Sequence, residues 1–470
     1  MFGTWGTLNP VASSRDNLNE LTRDELIELV RKMREEIEHL RKMLQESQRR
    51  GHRQANPFSK NLPKANPKPP GRKPGQGRFE NRPAPPELPT DIKIQASTPV
   101  QCVHCGGPLD LERTETATVT DLPPIPAPVV MRYAVPVCRC RNCGKSARGE
   151  APGLAKDQAG ATAHRMGPGV MAMSHFLHYD LGIPTRKVPQ VLREMAGIAL
   201  TASAITQDAL RQADGPLGEM YQRLRDSMKG FSVVHTDDTG WRIGGKSAFL
   251  MAFDSDDAVV YQIRDQHRSE EVLEIIPADF AGVLVTDRGK SYDAKAFENV
   301  TQQKCVGHIL RNISETLESK TGPARSFGVR LQGLLRGGIG LWNSELTSDD
   351  RTKAVLELDE ALTWLLRDRV LIDDDNQKLL NGIGAQMDRG HILTFLRFPG
   401  VEPTNNRAER ILRPAVIARK VSHCSKNERG AHASSVFLSV FQTIRKKLPE
   451  AAHSIAALLP GWSPLIIQTR

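Results

Sequence analysis

Phe231–Trp241 reads FSVVHTDDTGW, and Gly282–Gly289 reads GVLVTDRG. Each holds a β-branched apolar run that ends on an aspartate, Asp237 in the first and Asp287 in the second. Such runs form buried strands, so each strand delivers a carboxylate at its exit. Around them the pattern predicts a strand at Phe231–Asp237, then strands at Ala248–Phe253 and Val259–Ile263, with turns at Gly244–Gly245 and Asp254–Asp257. A helix over Ser269–Ile276, a strand over Gly282–Thr286, a short helix over Ser291–Phe297 and a strand over Gln302–Val306 follow. Tight turns join the early strands and crossovers the later ones, as a mixed sheet requires. If the first and fourth strands lie side by side, Asp237 and Asp287 meet at neighbouring strand ends, where α/β sheets place ligand sites.

A third acid lies in Thr404–Arg413, TNNRAERILR. Thr404 is expected to cap a short helix that Pro414 terminates. On it Asn405, Glu409 and Arg413 share one face at four-residue steps, with Arg407 and Arg410 nearby. A carboxylate from each of two strands and one from a helix can hold two magnesium ions. Hard cations prefer oxygen ligands, and a metal pair clamps the attacking and leaving oxygens of a phosphoryl transfer. A surface Glu409–Arg413 ion pair is the plainer reading, worth only about 0.3–0.5 kcal/mol. Residues 309–399 are helical in pattern, carry no obvious ligands and read as an insertion.

At 470 residues the chain exceeds one compact core. Mean hydropathy is −0.40, and no apolar run approaches the ~18 residues of a membrane helix. MFGTWGTLNP lacks the basic start and apolar stretch of a signal peptide. Lys and Arg exceed Asp and Glu by ten, which makes a phosphate backbone the first partner to consider. Seven cysteines without a secretion signal point to a reducing compartment, where paired cysteines hold metal.

Thr22–Glu25 is a capping-box pattern, and Leu26, Val30, Met33, Ile37, Leu40 and Leu44 follow at alternating spacings of four and three. This stripe reads as a short coiled coil for self-association, or as a helix packed on its own protein. Residues 49–82 carry ten Lys or Arg and one acid, Glu80, among dense Pro and Gly. Such a stretch cannot bury enough apolar surface to order itself. Cys102–Gly106 and Cys140–Gly144 are two C-x-x-C-G knuckles. Together Cys102, Cys105, Cys140 and Cys143 match a structural, tetrahedral Zn²⁺ site, with Cys138 a fifth candidate. Thr201 is of a residue type that N-caps helices and is expected to cap the next one after the turn Gly197–Leu200. Helix, four-residue turn and helix make a helix-turn-helix shape, which plain helical packing would also give. Gly215–Lys229 reads as one more helix.

The chain resembles the transposases of the insertion-sequence family numbered sixty-six, which carry a DDE catalytic triad. The likeness rests on the zipper-like helix, Phe58–Ser59–Lys60, Gly71–Arg72–Lys73, the two knuckles, HTDDTGW, LVTDRGKSY, Cys305–His308 and NNRAERILRP leading to Ala418–Arg419–Lys420. Two departures stand out. The family usually reads Asp-Glu-Thr at Asp237–Asp238–Thr239, and often Asp-Gly-Tyr at Asp287–Arg288–Gly289. The resemblance implies a multidomain α+β chain with a ribonuclease-H-like catalytic domain. It places the triad, and two Mg²⁺ (or Mn²⁺), on Asp237, Asp287 and Glu409, with Asn405, Arg407, Arg410 and Arg413 on DNA phosphates. Cys305 and His308 resemble a Cys-x-x-His element of several such families; core packing at a strand-to-helix junction is the other reading.

The organisation expected is a disordered 1–21, a coiled-coil helix 22–50, a basic linker 51–95, a zinc ribbon 96–150 and a helical DNA-binding region 155–230. The catalytic domain spans 231–445 with its insertion at 309–399, and 446–470 is a tail. The function implied is cleavage at transposon ends and strand transfer into target DNA. The partners implied are terminal inverted repeats and target DNA, a homodimer or higher oligomer, and accessory proteins of the same element. The setting implied is the cytoplasm and nucleoid of a bacterium. The competitors are an inactive zinc-containing DNA-binding protein or repressor derived from a transposase, and a nuclease without joining activity.

Overall fold

A computed structural model describes residues 101–115, 117–120, 127–151, 153–155, 157–160, 164–367, 370–448 and 451–459, and single positions between 22 and 100. The expected segment 1–21 lies outside the described residues, as does the linker 51–95 apart from Pro86 and Ile94. The chain divides into two compact units, Met1–Thr120 and Asp121–Arg470. This boundary runs through the span expected as one zinc ribbon.

In the first unit, Val30, Met33 and Ile37 are helical and exposed; Leu26, Leu40 and Leu44 lie outside the described residues.

The second unit opens with a small antiparallel pair, β1 (Val137–Arg139) and β2 (Ser146–Arg148). Four helices follow: α1 (Pro168–His175), α2 (Val188–Ala196), α3 (Ala202–Ala213) and α4 (Pro216–Ser227). Gly197 closes α2 at φ 63°, and the Thr201 hydroxyl caps α3 by accepting the Ala204 N–H. Both features are as the sequence predicts.

A five-stranded sheet comes next: β3 (Val233–Ile243), β4 (Lys246–Asp254), β5 (Val259–Arg264), β6 (Val283–Thr286) and β7 (Gln302–Lys304). The helix α5 (Ser269–Leu273) lies in the first crossover and is shorter than expected. The helix expected at Ser291–Phe297 is two 3₁₀ turns, Lys290–Asp293 and Lys295–Phe297. The spatial order is β5-β4-β3-β6-β7, with β3, β4 and β5 antiparallel and β6 and β7 parallel to β3. The first and fourth strands are therefore neighbours. β3 runs six residues past Asp237 because β4 pairs with it from Asp254 back to Lys246. Gly244 and Gly245, both at positive φ, make the tight turn.

The insertion is built of α6 (Val306–Leu317), α7 (Gly322–Trp342), α8 (Ser348–Leu366), α9 (Asp374–Asp388) and the short α10 (Thr394–Arg397). Their leucines and isoleucines form one core with Val283 and Val285 of β6. Three more helices close the unit: α11 (Asn406–Ser422), α12 (Glu428–Lys447) and α13 (Ala451–Leu458). α12 packs Phe437 and Phe441 into the main core beside Val234 and Phe253. It also seals the edge strand. Ser439 and Thr443 hydroxyls accept the N–H groups of Tyr261 and Val259 at 2.8 and 2.9 Å, so this edge offers few free donors to another strand.

Three expectations are corrected. Pro414 does not end its helix: α11 continues to Ser422, and its N-cap is Asn405, not Thr404. Proline removes one N–H and crowds one carbonyl, a cost of about 3 kcal/mol that packing can offset. Here Leu412 and Ala415 are buried against the sheet, and the Tyr261 hydroxyl donates to the Ile411 carbonyl at 2.6 Å. The expected tail at 446–470 contains α13, whose Ile455 and Ala456, with Leu459, join the main core. Residue 230 is not a boundary of compactness, because α1, α3 and α4 share that core with the sheet.

Candidate active site at the ends of the central strands

β3 and β6 pair in parallel with Val233 opposite Val283 and His235 opposite Val285. The same register, continued two residues, sets Asp287 beside Asp237. The first turn of α11 brings Glu409 to this end of the sheet through a buried joint at Asn405. The Asn405 side-chain amide donates to the Thr236 carbonyl at 2.7 Å. Its side-chain oxygen faces His235 Nδ1 at 3.3 Å, and its backbone N–H points at Cys305 Sγ at 3.2 Å. The residue before Asp237 is thus tied to the helix that carries Glu409.

The three acids share one electrostatic field. Burial pushes the Asp237 carboxyl up to about 7, helped by the negative charges of Asp287, Asp238 and Glu409 and opposed by the Asp238 N–H. Among the described residues, no basic side chain pairs with Asp237. Asp287 is held by its own turn: its Oδ1 accepts the Gly289 N–H at 2.8 Å. A Cβ at Gly289 would stand 2.9 Å from that same oxygen, so a larger residue there would press on the carboxylate. Arg288 reaches away to α9, where its guanidinium lies over Gly382. Glu409 is more open, 37% exposed, with Oε1 at 3.6 Å from His308 Nε2. Among the described residues, no three His, Cys, Asp or Glu side chains stand close enough to form a ready metal cage. All three donors are carboxylates, which suits a hard divalent cation.

Cys305 and His308 form the joint between the two readings made from sequence. Cys305 is 1% exposed at the β7–α6 junction. Burial works to raise its thiol, but the His308 ring and the Asn405 N–H outweigh this and hold it below its usual range. Its hydrogen bond raises His308 in turn. The pair is core packing on one side and a neighbour of Glu409 on the other.

Two of the four expected phosphate contacts are corrected. Asn405 is fully buried, with its amide committed to the strand. Arg407 turns to the far side of its helix and pairs with Asp254 at 2.6 Å and Asp256 at 2.8 Å. Arg410 and Arg413 are exposed. Further along α11, Arg419 donates to Thr239 Oγ1 at 2.9 Å and to the Gly240 carbonyl, clamping the helix along β3.

Sequence reading missed Lys304. It is fully buried on β7, and its ammonium donates to Thr286 Oγ1, Gln302 Oε1 and Asp293 Oδ1 at 3.2, 2.9 and 3.0 Å. Thr286 Oγ1 passes its own hydrogen to the Asp287 carbonyl at 2.7 Å. The insertion joins in: Gln386 of α9 donates to Asp293 Oδ2 at 2.9 Å. The turn that carries Asp287 is therefore braced by a buried cation and by α9. His267 was missed too; its Nδ1 lies 3.1 Å from Asp238 Oδ1.

The knuckles are formed one in each unit. In the first, Gly106 takes φ 71° and its N–H bonds the Cys102 carbonyl at 2.8 Å. In the second, Gly144 takes φ 69° and bonds the Cys140 carbonyl at 3.0 Å. The N–H groups of His104 and Cys105 lower the Cys102 thiol, and those of Cys143 and Asn142 lower the Cys140 thiol. Lowered thiols favour the thiolate form that metals take.

The mixed sheet with acids at its central strand ends defines an α/β protein built to concentrate negative charge at one edge. Residues 164–433, more than half of the chain, match the family described as Transposase IS66 family, and the chain belongs to that family. Uncharacterized protein y4hP of Sinorhizobium fredii is 22% identical over 403 residues, covering 77% of this chain and 71% of that one. The HTLV-2 integrase catalytic core in complex with magnesium is 14% identical, covering 32% of this chain and 94% of that one, with a TM-score of 0.14. The catalytic domain of the Mos1 mariner transposase is 12% identical, covering 39% and 90%, with a TM-score of 0.13. At TM-scores this low, neither likeness bears on the fold or activity of this chain. Among the described residues no helix is long and apolar enough to cross a membrane.

Proposed function

We propose that this protein is a DNA transposase that cuts at the ends of its element and joins them to target DNA, on a ribonuclease-H-like sheet. The observation that carries the reading is Asp237, pushed up to about 7 beside Asp287 and Glu409, with no basic partner among the described residues. A carboxylate left in that state is poised to exchange its proton for a cation. Asp237, Asp287 and Glu409 would hold magnesium, or manganese in its place. When bound there the ions supply Lewis-acid stabilisation of charge on the attacking and leaving oxygens.

The chain's own groups do the rest. The Gly289 N–H and the Lys304–Thr286 chain fix the Asp287 turn, and Asn405 fixes Glu409 against β3. Exposed Arg410 and Arg413 flank Glu409 on α11 and meet phosphates, adding affinity without sequence readout. The protein supplies no Ser or Tyr nucleophile in this scheme, so no covalent protein–DNA bond forms. The exposed apolar stripe of Val30, Met33 and Ile37 would pair two copies and hold both element ends together.

The test is cleavage and joining on the element's own ends with magnesium present, with Asp237→Asn, Asp287→Asn and Glu409→Gln made singly. Each variant keeps DNA binding and loses cleavage. A repressor would show no cleavage in the parent protein, and a simple nuclease would give no joined product from pre-cut ends. The knuckle thiols are read as zinc ligands, as their spacing implies. Metal analysis should find zinc in the purified protein, lost on Cys102→Ser or Cys140→Ser; unchanged zinc in both variants would sink that assignment.

A further inference from the structure

The helices before the sheet carry a polar face that the cutting site does not use. Leu177, two residues past α1, Val188 and Leu192 of α2, Leu200 of the turn and Ile205 of α3 form a small core of their own. The turn between α2 and α3 is fixed at both ends. Gly197 and Ile198 donate to the carbonyls of Arg193 and Leu192 at 3.0 and 3.2 Å, and Thr201 caps α3. The buried face of α3 is pinned by Asp208, which meets His175 Nε2 at 2.8 Å and also takes hydrogen bonds from Arg211 and Gln212. The opposite face presents Ser203 and Gln207, with Ala204 on its flank, all exposed. Among the described residues, neither Ser203 nor Gln207 has a side-chain hydrogen-bond partner. Arg186 and Lys187, both exposed, stand at the start of α2.

We propose that α3 enters the major groove of duplex DNA and reads base edges with Ser203, Ala204 and Gln207, while Arg186 and Lys187 hold the flanking phosphates. The inference rests on the transposase reading and adds to it the residues that choose the sequence. The chemistry is specific. A glutamine amide matches the N6 and N7 edge of adenine, a serine hydroxyl bonds either partner, and an alanine methyl packs on the thymine methyl. A rigid helix–turn–helix with its second helix exposed at the N-terminal half has the geometry that brings these groups to a groove. The basic pair one helix earlier gives the charge complementarity to the backbone.

The experiment is a selection with the full-length chain on duplexes carrying a randomised 20-base-pair centre (on the order of two helical turns), followed by affinity measurements over a range of salt. The parent chain should enrich a defined sequence that includes an adenine. Gln207→Ala should lower the ratio of selected to random binding by about 5- to 150-fold, with the salt slope unchanged. Gln207→Glu should move the preference at that position from adenine towards cytosine, which donates to a carboxylate. Changing Arg186 and Lys187 together to Ala should weaken all sequences alike and reduce the salt slope by about two. Gln207 and Ser203 variants that melt like the parent and keep its selected sequence would overturn the proposal, as would a parent chain that selects nothing. Asp237→Asn, run in the same selection, should keep the parent's preference. Failure of base reading by α3 therefore shows in the Gln207 variants while cleavage stands, and failure of the transposase reading shows as absent cleavage while the selection stands.

Discussion

Asp254 and Asp237 sit on paired strands of one sheet and are treated in opposite ways. Asp254 is 1% exposed, the more deeply buried of the two, yet Arg407 and Lys446 reach it at 2.6 and 2.5 Å. Asp180, likewise buried, has Arg445 and the Gln442 amide. Asp237 is only part-buried, but its neighbours are Asp287, Asp238 and Glu409, and its carboxyl is driven up to about 7. A fold that needs an acid for structure surrounds it with cations. Where acids are gathered without cations the fold bears a cost, which on the proposed reading a bound cation relieves.

The comparison can be broken by experiment. The largest effect expected is on chemistry: Asp237→Asn should reduce magnesium-dependent cleavage by at least on the order of 10²–10³-fold, whereas Asp254→Asn, tested near its lower melting point's safe side, should retain it. Next comes stability. Asp254→Asn removes the buried partner of Arg407 and Lys446, leaving them Asp256 and the Ser255 carbonyl, and should cost about 3 kcal/mol in denaturant unfolding. Equal stability in that variant would erase the distinction between the two acids.

Asp237→Asn should do the reverse and stabilise the metal-free protein at pH 8 by about 2–4 kcal/mol. The sign follows from its raised value. In the fold Asp237 keeps its proton up to about pH 7, and in the unfolded chain it loses it near the ordinary carboxylate value. The native state binds more protons between those points, so its contribution to stability falls as pH rises through the window. Melting at pH 4 and pH 8 checks this, since the gain should vanish at the lower pH. The smallest effect sharpens the contrast. Apparent Mn²⁺ affinity should rise about tenfold per pH unit below 7 and level off above it, as the ion displaces one proton. A flat profile would mean that Asp237 does not bind the ion.

Much of the sheet was legible because apolar alternation and the Gly244–Gly245 turn are local signals. The adjacency of the first and fourth strands was only a supposition from sequence, and the β3–β6 pairing establishes it. The β3 extension was not legible: Asp238–Gly240 is polar, and only pairing with β4 makes it strand. Pro414 misled because a local breaker was weighed without the packing that holds α11 together. Arg407 could not be separated from Arg410 and Arg413 by spacing, since its partners Asp254 and Asp256 come from about 150 residues earlier in the chain. Lys304 gave no signal at all. Gln302–Lys304 looks like surface, and its burial depends on the insertion folding over the strand.

The division of the trio by the insertion sets an order in time. A ribosome releases Asp237 and Asp287 well before α6 to α10 emerge, and Glu409 follows only after them. The helix that seals β5 through Ser439 and Thr443 comes later still. On the proposed reading, a nascent chain halted anywhere within the insertion would hold two of the acids and lack the third.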